Sequence, residues 1–414
     1  MRLLEFREYE KQTVSLTHAE CDALRANIED LLIEPAAGSA HSFDVTPQSW
    51  VGAVRVGELS VEIRPKLAVD RLLFLISYGL DPRGWRNQQD FGLVKADSVL
   101  EAIVPAFVHH VKHAVRRGLL QQYRHEEDSL SVLRGRLDLN RHVSKRLGLV
   151  PPVDVSFDEF TVDHLLHRLI KAALLRLERM PIRSTYARRL LHGTLPLFDG
   201  VQVVPFSRHL VPVVAYSRLN RHYRPAVELA RLILQNASFD QRHGGVEATS
   251  FLLDMNAVFE TFLYEALKEE LGAAHGFDRN RRVSLDIEGR VPMRPDLCWS
   301  DGESALFVGD AKYKALKPKG YEHGDIYQLL AYTTALDLPR GLLVYASGEG
   351  SRGQYVVKHG NKTLEVMWLS LDGPPEAVLS SVRTVANRVR AMRREALERR
   401  TLRCLTGNLQ VGAP

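Results

Sequence analysis

Two aspartates and a lysine are carried by one short stretch, RPDLCWSDGESALFVGDAKYK, residues 294–314. Asp296 follows Pro295 at the head of one apolar run, and Asp310-Ala311-Lys312 closes the next. Charge is unwelcome on strand-like segments unless solvent or a site accounts for it. Side chains alternate along a strand, so Asp310 and Lys312 share one face and Ala311 takes the other. If the two runs pair antiparallel through the turn at 300–304, Asp296 lies near Asp310, and two close carboxylates repel unless a cation sits between them. Mg²⁺ prefers oxygen ligands, and a substrate phosphate can complete its shell. A metal there would lower the pKa of its water and stabilise charge on phosphoryl oxygens. Lys312 would be left to orient the nucleophile or offset developing negative charge. The chemistry implied is phosphodiester hydrolysis; the plainer alternative is a turn dipeptide and a surface Asp-x-Lys pair.

These residues need elements to hold them. FLLDMNAVFETFLYEALKEEL repeats apolar residues at helical spacing and carries Glu260. RRVSLDI, VPMRPDLCW and ALFVGDAKYK read as three strands, DIYQLLAYTTAL as a helix, and GLLVYAS and LEVMWLSL as strands again. Gln328 and Tyr332, four apart on that second helix, share a face and can both point at the sheet, although a half-buried amphipathic face accounts for them equally simply. The order is α-β-β-β-α-β-β.

Upstream, WVGAVRVGELSVEIR predicts a hairpin turning at Gly57-Glu58. Helices are expected in RLLFLISYGL, in LEAIVPAFVHHVKHAVRRGLLQQY and in YRPAVELARLILQN. LSVLRGRLDL and VSFDEFTVDHLLHRLIKAALLRLERM suggest a short strand pair and a long helix begun near Asp158 or Thr161. The polar, Gly-containing stretch 237–250 is the candidate linker. The expected organisation is an N-terminal mixed α/β domain over 1–236, a C-terminal domain over 251–375, and a basic helix and tail over 376–414. The basic helix sets many arginines around a stripe of Val382, Val385, Val389 and Met392, which suits phosphate contact and packing equally.

The order Glu260, Pro295-Asp296, Asp310-Ala311-Lys312, Gln328-Leu329-Leu330-Ala331-Tyr332 resembles the PD-(D/E)xK nuclease superfamily. MNAVFETF, MRPDL, GDAKYK and DIYQLLAY, together with VGELSVEIRPKL, RGRLDL and FDEFTVDHLLHRLIKAAL, resemble the McrC family, the nuclease subunits of McrBC-type modification-dependent restriction systems. The resemblance implies a restriction-endonuclease-like C-terminal domain and a Mg²⁺-dependent DNA endonuclease, with Mn²⁺ as a possible substitute. It implies a catalytic core of Asp296, Asp310 and Lys312, with Glu260 as a further acidic residue able to join the aspartates on the metal, and Gln328 and Tyr332 in support. It implies a partner, an McrB-like AAA+ GTPase ring whose GTPase the chain stimulates, bound through the N-terminal half. Two other readings stand beside it: a stand-alone PD-(D/E)xK nuclease in DNA repair, and a non-enzymatic activator of a ring NTPase.

Composition sets the outer bounds. A chain of 414 residues with 45% hydrophobic and 25% charged residues describes a globular protein of two or three domains. The start MRLLEFREYEK is not a secretory segment and no run approaches a spanning helix, so the cytoplasm is expected, with no membrane partner. Cys21, Cys298 and Cys404 lack metal or disulfide spacing. A net charge of +5 permits nucleic acid without establishing it. Gly348, Gly350 and Gly353 form a G-x-G-x-x-G followed by a strand-like rather than a helical run, which predicts a turn, and no P-loop occurs. His109 and His113 have the spacing of a helical metal pair but lack the accompanying glutamate.

Overall fold

The computed structural model describes residues 2–37, 41–85, 98–145, 151–242, 246–273, 275–313, 323–346 and 353–410. The chain forms two compact units, Met1–Ala102 with Leu252–Pro414, and Ile103–Phe251. This differs from the division expected at 237–250. Residues 237–242 and 246–250 are paired strand there: Ala237–Arg242 and Val246–Asp254 run antiparallel from Ala237↔Phe251 to Arg242↔Val246. The turn chemistry was read as a linker because turns and linkers share composition.

In the first unit, strand Arg2–Arg7 runs parallel to Leu59–Arg64, which pairs antiparallel with Trp50–Val56 in the hairpin the sequence predicts. A three-stranded sheet of Gln12–Ser15, Ser42–Thr46 and Leu32–Pro35 adjoins it. Phe6, Leu24, Ile28, Val45, Val54, Val61 and Ile63 close one core between them. Helix Val69–Leu80 packs on helix Met255–Leu271, where Phe74, Tyr78 and Phe262 meet edge to face. The second helix is capped by Asp254, whose carboxylate accepts the Asn256 N–H and the Ser49 hydroxyl, both at 2.9 Å.

The site rests on a six-stranded sheet in the order Phe277–Asp278, Leu297–Asp301, Ser304–Lys312, Arg340–Ala346, Thr363–Leu369, Gly353–Val356. Leu297–Asp301 and Ser304–Lys312 form an antiparallel hairpin closed by Gly302, at φ 60°. Ser304–Lys312 then pairs parallel with Arg340–Ala346 across helix His323–Ala335, as a crossover connection requires. Gly341 lets that helix lie close: a Cβ there would stand 2.8 Å from Leu329 Cδ1 and 2.7 Å from Thr333 Cγ2. Leu306, Val308, Leu329, Tyr332, Leu343 and Tyr345 share one core, so the even-numbered face of Ser304–Lys312 is the face this helix covers.

Four expectations change at the level of elements. RRVSLDI contributes only Val283–Ser284, paired with Pro292–Met293 in a small ribbon outside the main sheet. VPMRPDLCW is broken between Met293 and Leu297, because Pro295 lacks an N–H and restricts Arg294 before it. Residues 153–161 are a strand paired along nine positions with Gln122–Leu130, and the helix expected near Asp158 begins at Leu165. The final helix runs Pro375–Gln410, longer than expected, and carries 405–410 that were read as tail. The G-x-G-x-x-G loop lies outside the described residues except for Gly353. Among the described residues no helix is long and apolar enough to cross a membrane.

Candidate active site

Asp296 stands immediately before the first strand of the hairpin, and the register Leu297↔Gly309 carries it opposite Asp310. Its Oδ2 accepts the Ala311 N–H at 2.9 Å, a bond that ties the mouth of the hairpin together. Asp310 is 1% exposed, on the face shared with Leu306 and Val308. The Lys312 ammonium forms a close ion pair with Asp310 Oδ2 and donates to Gln328 Oε1 at 2.9 Å. Tyr332, one turn further along the helix, is buried and its hydroxyl reaches the Arg294 carbonyl at 3.4 Å. Alternation in the strand and the i, i+4 spacing in the helix thus bring five of the six expected residues to one place.

The electrostatics are those of crowded carboxylates. Burial, then the charge of Asp296, pushes Asp310 up to about 7 against the pull of Lys312. Burial, then Glu260, raises Asp296 as well. Burial draws the Lys312 ammonium down, but Asp310 and Asp296 outweigh it and the net shift is upward. Tyr332 is raised by burial and by the same two aspartates, so its hydroxyl stays protonated.

Glu260 answers differently. Burial raises it, Arg279 opposes, and Asp310 adds, so it feels the pair without joining it. Its carboxylate faces Arg279 Nη2 at 3.9 Å. Among the described residues no group of three or more His, Cys, Asp and Glu is placed to hold a metal, so the expected three-carboxylate set is not formed. The aspartate pair alone still suits Mg²⁺, which commonly takes one or two protein carboxylates and completes its shell with water and phosphate. The raised pKa values of the two aspartates accord with this, since a cation would offset the burial and the mutual repulsion that cause them.

Asp325 was not singled out in the sequence. It is buried, its Oδ2 accepts the Tyr345 hydroxyl at 2.8 Å, and its charge helps hold Lys312 protonated. Its signal was its place three residues before Gln328 on one helical face. The basic helix is spoken for by packing. Val382, Val385, Val389 and Met392 are buried, Arg388 grips Glu365, Arg383 pairs with Glu270 and Arg393 lies over the Trp299 ring.

Fold and site together define a mixed α/β protein with a close aspartate pair, one of the two buried, and a lysine at the end of its six-stranded sheet. The chain belongs to the family of McrBC 5-methylcytosine restriction system components, whose model matches residues 45–346. Its fold is similar to a chain of the refined half-complex from the tetradecameric assembly of Thermococcus gammatolerans McrB AAA+ hexamers with bound McrC. That match has a TM-score of 0.59 at 18% identity and covers 94% of this chain and 100% of the other. A chain of the cryo-EM structure of the Thermococcus gammatolerans McrBC complex matches at a TM-score of 0.43 and 19% identity, over 66% of this chain and 89% of the other. No curated protein matches at a comparable level.

Proposed function

We propose that this chain is the McrC-type nuclease subunit of a restriction complex, hydrolysing DNA phosphodiester bonds with Mg²⁺ at Asp296 and Asp310. The observation that carries the reading is the convergence of the buried Asp310 and the half-buried Asp296, both with raised pKa values, with a lysine held by both Asp310 and Gln328. Bound there, the metal would supply an activated water and charge stabilisation at the phosphate. Asp296 and Asp310 would hold it, and the Ala311 N–H fixes the angle of the Asp296 carboxylate. Lys312 stays protonated and donates to the phosphate oxygens or the attacking water, with Gln328 limiting the sweep of its side chain. Tyr332 closes the inner wall and excludes water. Glu260, countered by Arg279, tunes the acidity of the pair from outside its shell.

The chain works with an McrB-like AAA+ GTPase ring, which it stimulates and contacts within 1–236; of that region, residues 103–236 fall in the unit Ile103–Phe251, apart from the unit that carries the aspartates and the lysine. It exposes Tyr123, Val132, Leu133 and Phe160 along its long hairpin, apolar surface suited to a partner. Cleavage of methylated plasmid with the ring, GTP and Mg²⁺ tests the reading. Lys312→Ala should reduce cleavage by about a thousandfold or more while the ring's GTPase stays stimulated. Cleavage at the parent's rate by that variant would exclude the site.

A further inference from the structure

Glu8, just past strand Arg2–Arg7, is wholly buried, 0% exposed, although it is a carboxylate. Its Oε1 accepts two hydrogen bonds, from the Lys66 N–H at 2.6 Å and from the Tyr313 hydroxyl at 2.7 Å. The Tyr9 hydroxyl donates to the Tyr313 carbonyl at 3.1 Å. Tyr313 is thus held at both ends by consecutive residues of the N-terminal segment. That segment is itself pinned, since Glu8 N–H donates to the Arg64 carbonyl at 3.1 Å and Tyr9 N–H to the Pro47 carbonyl at 2.7 Å. On its other side the Tyr313 ring stands 6.3 Å from that of Phe259, the residue before Glu260.

Tyr313 directly follows Lys312, and the strand ends at Lys312. Beyond its end the sheet no longer fixes the backbone, yet the lysine must reach Asp310 and Gln328 together. Glu8 Oε2 has no hydrogen-bond partner, so core filling alone does not account for a carboxylate here. A hydrogen-bonding acceptor for the tyrosine is what a carboxylate offers and a leucine does not.

We propose that Glu8 is a positioning residue for Lys312: by anchoring Tyr313 it fixes the backbone that aims the ammonium group at the aspartate pair. The geometry stands independently, and only the consequence for cleavage rests on the nuclease reading. The N-terminal strand is then part of the catalytic apparatus, through a contact that spans 305 residues of sequence.

The test uses the full chain with Glu8→Leu, Glu8→Gln and Tyr313→Phe. Trace acylation of Lys312 by an amine-reactive ester, read by peptide mass spectrometry, reports whether its ammonium is held; cleavage at saturating DNA and the KM for DNA report function. Glu8→Leu and Tyr313→Phe should acylate Lys312 several-fold faster and cleave about ten- to a hundredfold more slowly, with KM unchanged. Glu8→Gln retains an Oε1 acceptor and should stay within about twofold of the parent in both readouts. Parent-like acylation in Tyr313→Phe, or a Glu8→Gln variant as impaired as Glu8→Leu, overturns the proposal. Tyr313→Phe removes one hydroxyl and decides the matter even if Glu8→Leu does not fold. If the parent itself never cleaves, the nuclease reading falls while acylation still judges the anchor.

Discussion

Asp310→Asn is the most informative single change, because it keeps the shape of the site and removes one of two crowded charges. In the fold Asp310 titrates at about 7 instead of 3.8, driven by burial and by Asp296. Between those values the native chain keeps a proton that the unfolded chain has released. Parent stability therefore falls as pH rises across that window, and the penalty is complete above about pH 7. A shift from 3.8 to about 7 corresponds to about 4 kcal/mol at roughly 1.4 kcal/mol per unit, shared with its coupled neighbour. Asparagine removes the penalty and leaves Lys312 facing Asp296 and Gln328. At pH 8 in EDTA the variant should be about 1 to 4 kcal/mol more stable than the parent, a rise of several degrees in Tm. Below about pH 4 the advantage should vanish, since the parent aspartate is then neutral in both states.

Metal inverts the comparison. At about 100 times Kd, a divalent cation that binds only the native state stabilises by about 2.7 kcal/mol. The parent should gain that at pH 8 and much less at pH 6, where Asp310 still holds a proton. The variant, short of one ligand, should gain little at either pH. Melting curves of both proteins from about pH 2.5 to 8.5, with EDTA and with Mg²⁺, check each step. A variant less stable than the parent at every pH, with an unchanged response to metal, would show that Asp310 serves as a stabilising partner of Lys312 and would refute the reasoning.

Two further outcomes follow from packing. Gly341→Ala places a Cβ within 3 Å of Leu329 and Thr333, so helix His323–Ala335 must shift; Tm should fall by several degrees, and cleavage at saturating DNA should fall by about tenfold more than the loss of folded protein explains, as Gln328 is displaced. Arg388→Met removes a guanidinium bonded at 2.7 Å and 2.5 Å to Glu365, which Arg340 also contacts at 2.9 Å; it should cost about 2 kcal/mol in melting experiments and leave DNA affinity within twofold, whereas a large loss of affinity would restore the basic helix as a phosphate-binding face.

The candidate site was legible in sequence because its signals are local. Asp310 and Lys312 are two apart on a strand, Gln328 and Tyr332 four apart on a helix, and a two-residue turn sets Asp296 opposite Asp310. Periodicity fixes which face each side chain takes. What periodicity does not carry is how far a helix residue reaches once a competing partner is near. Glu260 looked like a third metal carboxylate until Arg279, nineteen positions later, took its place beside it. The linker failed for a related reason: polar, glycine-containing residues 237–250 have the same composition whether they join domains or turn a hairpin, and the deciding fact is the partner strand.

The larger miss was the assignment of residues 1–102, and its cause is topological. Nothing local in RLLFLISYGL says that it will pack on Met255–Leu271, or in EFREYEK that Glu8 will meet Tyr313. Such contacts are fixed by burial across long loops, and sequence separation erases the pattern that would announce them. Their consequence is mechanistic. A site built from mutually repelling carboxylates is held together by its surroundings, so the strain at Asp296 and Asp310 must be offset where the sheet is best buttressed. The hairpin is gripped on one side by helix His323–Ala335 and at its end by the N-terminal segment through Tyr313. A deletion meant to isolate the proposed nuclease domain as residues 251–375 would remove that segment, together with Ser49, which bonds the Asp254 cap of the helix bearing Glu260. Inactivity of such a fragment would then report the loss of the buttress and would say nothing against the chemistry of the aspartates and the lysine.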